Sequence, residues 1–222
     1  KKNFEWNARI EFQPLMLGFK PESAATITGR IKDTYLGQRD IFTIGLGYHK
    51  EKHTPKLSLG NNVYKDLDRD GWTIDATFEK KFGNLVPNLQ VGYISLDETH
   101  FYYKYVNGKG TPKKGDTDVW YVMGQLLYDQ KVGLGKPAIA FRYEKTTADG
   151  EFYNNLVHKK DLTLERWGVA LNYYIKGNAA RISAGFDSVK YDDAAKAYLK
   201  YGRGDKYEDS LTDWYIYLQS MF

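Results

Sequence analysis

The sequence predicts an all-β chain, an antiparallel transmembrane β-barrel with about nine to ten strands over residues 1–222 as a single domain. Three observations predict it: apolar and polar residues alternate with period two in segment after segment, aromatic residues make up 16% of the chain, and the connections alternate between short and long. Period two places successive side chains on opposite faces of a strand, and a tilted strand of about 9–11 residues crosses a bilayer. Amphipathic rings concentrate at the two membrane interfaces of such barrels, and their turns are short on one side and their loops long on the other.

The segments follow in chain order. Residues 4–13 set Phe4, Trp6, Ala8, Ile10 and Phe12 against Glu5, Asn7, Arg9, Glu11 and Gln13. Residues 41–49 set Phe42, Ile44, Leu46 and Tyr48 against Thr43, Gly45, Gly47 and His49, and residues 72–79 set Trp72, Ile74, Ala76 and Phe78 against Thr73, Asp75, Thr77 and Glu79. The pattern continues with more errors over 88–96, 119–129, 138–145, 166–175, 180–187 and 212–222, where Trp120, Phe141, Trp167, Phe186 and Trp214 mark the apolar face. A soluble sandwich also alternates, but its core gives no reason for aromatic residues to gather near the ends of the apolar faces.

Short connections fall at 82–87, 130–137 and 176–178, and long ones at 50–71, 97–116, 147–161 and 190–211. With the chain end in the periplasm, the long connections face outside. The stretch 14–40 has two readings. As a long periplasmic connection it leaves an odd count of about nine strands, the C-terminal portion of a larger barrel; with a further strand over 26–35 the count is about ten and a small closed barrel is possible.

Mean hydropathy is -0.60 and no window offers the roughly 18 to 20 apolar residues of a membrane-spanning helix, whereas a barrel needs no such run. The absence of cysteine excludes a disulfide framework, a thiolate metal site and a cysteine nucleophile. The net charge of +4 is a small difference between 32 basic and 28 acidic residues, without the basic stripe of a nucleic-acid binder. The chain opens on Lys1-Lys2-Asn3 and passes directly into an alternating segment, so the expectation is a signal already removed or a chain that begins internally.

The closing residues Trp214-Tyr-Ile-Tyr-Leu-Gln-Ser-Met-Phe222 resemble the C-terminal strand of bacterial outer-membrane proteins, with Phe222, Leu218, Ile216 and Trp214 at the matching positions and Ser220 where an apolar residue is commoner. The block Arg166-Trp-Gly-Val-Ala-Leu-Asn-Tyr-Tyr-Ile175 with its Lys176-Gly-Asn turn resembles the end of the phosphate-selective porin family of the O and P type. The block Tyr35-Leu-Gly-Gln-Arg-Asp-Ile-Phe-Thr-Ile-Gly-Leu-Gly-Tyr48 is similar to an outward strand of that family. The resemblance implies a trimeric barrel of 16 to 18 strands, of which this chain is the C-terminal portion; phosphate selectivity does not follow from it.

Candidate pore-lining residues on the polar faces are Arg9, Glu11, Asp75, Glu79, Arg142, Glu144, Arg166, Arg181 and Asp187. Arginine rings favour anions, but carboxylates share the same faces, so a wall of cross-strand ion pairs outweighs a dedicated anion ladder. The run Asp66-Leu-Asp68-Arg-Asp70-Gly71 opens like a calcium loop, but Thr77 stands where its glutamate is required, so a solvated acidic loop is the better reading. His49 and His53 could approach Asp66 or Asp68 as in barrel proteases, without supporting spacing; His100 and His158 read as surface histidines. No catalytic motif, metal site or cofactor site emerges.

The expected function is therefore a non-enzymatic porin of the bacterial outer membrane, passing small hydrophilic solutes with a possible anion bias. Its partners are outer-membrane lipid, lipopolysaccharide and copies of itself, not nucleic acid. The alternative is a small closed barrel whose outer loops bind or cleave a surface ligand.

Overall fold

A computed structural model describes residues 4–21, 34–52, 57–58, 64–65, 68–106, 109–154, 157–196 and 210–220. Nine strands form one antiparallel sheet: β1 (Phe4–Phe12), β2 (Ile41–Lys52), β5 (Asp68–Glu79), β6 (Leu85–Val106), β7 (Lys109–Tyr128), β8 (Lys136–Asn154), β9 (Val157–Tyr174), β10 (Ala180–Tyr191) and β11 (Ser210–Ser220). Two short strands, β3 (Leu57–Ser58) and β4 (Tyr64–Lys65), pair separately between β2 and β5. Each strand of the sheet pairs with the next in sequence, a meander without crossovers. All nine alternating segments are therefore strands, and among the described residues no helix is long and apolar enough to cross a membrane.

The alternation sorts the sheet into an apolar and a polar face. On the apolar face Ile10, Leu46, Ile74, Leu89, Ile139, Leu171 and Ile216 are exposed, while Thr43, Asn88, Asn172 and Ser183 are buried on the polar face. A water-soluble domain does the reverse, because burial of apolar surface drives its folding.

All five tryptophans stand on the apolar face, one on every second strand, and the strands between them supply Tyr48, Tyr93, Tyr143 and Phe186. The register sets Tyr48 opposite Trp72, Tyr93 opposite Trp120, Tyr143 opposite Trp167 and Phe186 opposite Trp214. Ring centroids lie 5.0 Å apart for Trp6 and Tyr48, 5.1 Å for Trp72 and Tyr93, 4.9 Å for Trp120 and Tyr143, and 5.1 Å for Trp167 and Phe186. One aromatic belt thus crosses all nine strands. The tyrosine hydroxyls lean toward the long hairpins, with Tyr48 donating to Asp70 at 3.0 Å and Tyr93 to Asp118 at 2.7 Å. Near the short turns Phe19 packs against Phe42 and Phe78, with centroids 5.8 and 6.1 Å away.

The sheet curls with its polar face inward. Thr34 Oγ1 donates to Glu79 on β5 at 2.6 Å, while the Thr34 carbonyl accepts from Asn178 Nδ2, in the turn after β9, at 2.9 Å. Four strand intervals separate β5 from β9, about 19 Å along a flat sheet at ~4.8 Å per strand. One residue bridges that span only if the sheet bends around it.

Two expectations about connections are corrected. The stretches 97–116 and 147–161 are not open loops; β6 pairs with β7 out to Val106 and Lys109, and β8 with β9 out to Asn154 and Val157. Irregularities between Leu96 and His100, and between Ala148 and Glu151, break the period-two pattern there and hid these extensions. The optional strand over 26–35 lies outside the described residues except for Thr34 and Tyr35, which are not in a strand. Phe222 also lies outside them.

Candidate functional site on the concave polar face

Arg9 on β1 reaches past β2 to β5. Its Nη1 and Nη2 donate to the Asp75 carboxylate at 2.7 and 2.8 Å, and its Nε donates to Glu11 at 2.8 Å. Gly45 on the intervening strand makes this possible, because a Cβ there would stand 2.1 Å from Arg9 Nη2. Tyr121 lies over Gly92 in the same manner, its hydroxyl 2.5 Å from where a Cβ would be.

A second network repeats the arrangement on β8, β9 and β10. Arg142 Nε donates to Asp187 Oδ1 at 2.9 Å and its Nη2 to Asp187 Oδ2, across Gly168, whose Cβ would fall 2.0 Å from Asp187 Oδ1. Arg166 adds a bond to Asp187 Oδ2 at 3.0 Å and stands 3.9 Å from Glu144. The candidate residues therefore gather into two clusters, Arg9 with Glu11 and Asp75, and Arg142 with Arg166, Glu144 and Asp187. Because the forks are bidentate and partly shielded, they hold geometry better than an exposed pair would.

Arg181 stands apart. Its guanidinium donates to Gln219 at 2.9 Å, lies 3.5 Å from the Tyr174 hydroxyl and sits 5.7 Å from the Tyr174 ring centroid, so neutral groups hold it. Gln125 accepts from Asn172 at 3.0 Å and from Tyr174 at 2.7 Å, and Ser183 donates to Asn172 at 2.6 Å. Gln125, Asn172, Tyr174 and Arg181 border a recess of about 210 Å³ whose wall also includes Asn88, Arg142 and Tyr215.

Glu79 requires a correction. Expected to line an open passage, it is 0% exposed. Its carboxylate accepts from Thr34 Oγ1, from the Tyr35 and Gly37 amides at 3.0 and 2.9 Å, and from Asn88 Nδ2 at 2.8 Å. The physical reason is the segment at 34–37, which folds back onto the concave face and covers it. Strand periodicity places Glu79 on the right face but carries no information about what lies over it.

The acidic run near 66–71 is strand rather than loop over Asp68, Arg69, Asp70 and Gly71, while Asp66 lies outside the described residues. Among the described residues no group of acids and histidines could hold a metal. His49 Nδ1 is 2.6 Å from Asn7 Oδ1, His100 Nε2 is 2.6 Å from the Asp149 carbonyl, His53 lies outside the described residues, and nothing is described of the His158 side chain. The neutral members of the face, Gln125, Asn172, Tyr174 and Tyr121, escaped sequence reasoning that searched for charge. The glycines Gly45 and Gly168, opposite long side chains, were the available signal.

Beyond the aromatic belt Asp97 is exposed on the apolar side of β6. Partial loss of hydration, then the charges of Asp116, Asp70, Asp118 and Glu98, hold its pKa above the ordinary carboxylate value. A raised folded pKa means that the ionised form costs stability above that pKa, and that the cost is relieved as pH falls through it. Asp97→Asn is therefore expected to raise the unfolding midpoint at neutral pH. The gain should fade below the unfolded carboxylate value of about 3.9 and shrink at high salt. Unfolding curves at pH 7 and pH 3 check it, and an equal gain at both would refute the electrostatic origin.

Comparison of the chain with protein-family models, with curated proteins and with solved structures finds no match.

Proposed function

We propose that this chain is an outer-membrane β-barrel, or a portion of a larger one, that forms a passive water-filled channel for small hydrophilic solutes. The observation that carries the reading is the inverted sheet, apolar and exposed on its convex side, polar and charged on its concave side. Soluble proteins rarely leave more than a few hundred Å² of contiguous apolar surface in water, whereas lipid is the natural solvent for an apolar band edged by aromatic residues. The tryptophan belt then marks one interface and the Phe19, Phe42 and Phe78 group the other. Phe78 lies six residue steps along β5 from Trp72, about 20 Å at ~3.3 Å per step.

Strands β1 and β11 run parallel to one another, each paired on one side only among the described residues. Closure by the antiparallel pairing used everywhere else needs an odd number of further strands between them, which favours a larger barrel over a sealed nine-stranded one. Fixed charges of both signs on the inner wall give sieving by width with a weak electrostatic bias rather than strong selectivity. Lipid and lipopolysaccharide surround the convex face, and a homotrimer is the expected assembly. No catalytic role is assigned.

Single-channel recording in planar bilayers tests the reading, using protein extracted from its native membrane. Release only with detergent, stable conductance and an intact mass above 25.6 kDa are the expected results. Insertion without conductance would sink the channel and favour a plugged barrel acting through the β6–β7 and β8–β9 hairpins.

A further inference from the structure

The segment at residues 34–37 occupies the concave face near the short turns. Thr34, Tyr35 and Leu36 are all buried. Leu36 clusters with Val86 on β6, Leu127 on β7, Ala138 on β8 and Tyr174 on β9. Val86, Leu127 and Ala138 share one inward row, and the next inward row carries Asn88, Gln125 and Ala140. Leu36 therefore meets an apolar patch of the inner wall.

The segment is locked in place. Its backbone turns left-handed at Leu36, φ 55°, and at Gly37, φ 77°. A left-handed leucine costs roughly 1–2 kcal/mol and persists only where its surroundings hold it. Here the Tyr35 and Gly37 amides converge on the Glu79 carboxylate, the Leu36 amide donates to Thr34 Oγ1 at 3.0 Å, and Asn178 holds the Thr34 carbonyl. A Cβ on Gly37 would lie 2.7 Å from Val86 Cγ2, so the fit is also tight.

We propose that residues 34–37 form a fixed constriction of the channel at its short-turn end, with Glu79 as the residue that positions it. This rests on the channel reading above and adds where the width is set: beside the buried turn, with Thr34 bordering the recess that Asn88, Gln125 and Arg181 line. Charge at Glu79 does not face the solute; it holds the backbone that narrows the path.

The chain has no cysteine, so a single introduced thiol reports access cleanly. Leu127→Cys places one beneath the turn, at a position that is now 0% exposed. Glu79→Ala removes the clasp, and Glu79→Gln keeps a carbonyl acceptor for the two amides. In Glu79→Ala, conductance is expected to rise about twofold, and labelling of the introduced thiol by a membrane-impermeant reagent to quicken at least about tenfold, with Glu79→Gln between it and the wild type. A wild type that conducts and a Glu79→Ala form with the same conductance and the same labelling rate would overturn the constriction while leaving the channel standing. Silence of both forms after verified insertion would overturn the channel and the constriction together. Should Glu79→Ala fail to insert, Leu36→Ala empties the contact with Val86 and Leu127 while leaving the clasp, and the same results decide.

Discussion

Leu46→Arg is expected to destabilise the protein by about 2–4 kcal/mol in lipid vesicles, the cost of an arginine near the middle of a barrel's lipid-facing band. Leu46 is 52% exposed and lies between Ile10 and Ile74 in register, two residues from the belt residue Tyr48. In water, exchange of an exposed leucine for arginine changes stability by no more than about 0.5 kcal/mol and improves solubility. The same substitution therefore separates a membrane wall from a soluble sheet by the size of a single number. Thr73→Arg, on the polar face of the neighbouring strand, is the control and is expected to cost less than about 1 kcal/mol, because its side chain extends into water. Urea titration of vesicle-inserted protein measures both. Equal costs for the two would remove the distinction between the faces, and with it the membrane reading.

The strands were legible because alternation depends only on local residue order and on the period of an extended backbone. The order of the sheet followed from the connections, since neighbours joined by short turns pair antiparallel. What alternation could not show is how far β6 to β9 extend. Beyond Leu96 the pairing continues with Tyr102 opposite Lys113, residues that carry no apolar alternation, and the irregularity after Leu96 shifts the pattern. The polar wall was legible as a set of residues but not as clusters. Arg9 and Asp75 are 66 positions apart and meet only because Gly45 lets a side chain cross a strand. Least legible was the burial of Glu79, which depends on a turn some 40 residues away that follows no period at all.

Asp187→Ala is expected to destabilise the protein by about 2 kcal/mol and to move the reversal potential toward anions. Asp187 holds two arginines, Arg142 by a fork and Arg166 by one bond, with a side chain only 13% exposed. Its removal leaves two guanidinium groups facing one another, with Glu144, 3.9 Å from Arg166, as the nearest compensating charge. Breaking a fully buried pair costs about 3–5 kcal/mol, and the exposure of Arg142 and Arg166, 29% and 37%, brings the figure down because water screens the orphaned charges. Arg142→Met in the same background should recover part of the loss, giving a coupling energy of about 1 kcal/mol or more in a double-mutant cycle. Asp187→Ala alone makes the fixed charge of the inner wall more positive by one unit, so a salt gradient should report greater anion preference, and the double variant should return it toward the wild type. A reversal potential indifferent to both substitutions would mean that ions do not pass the β8–β10 wall, whatever the stability data show. A large shift without loss of stability would mean that Asp187 acts on solutes but does not brace the sheet.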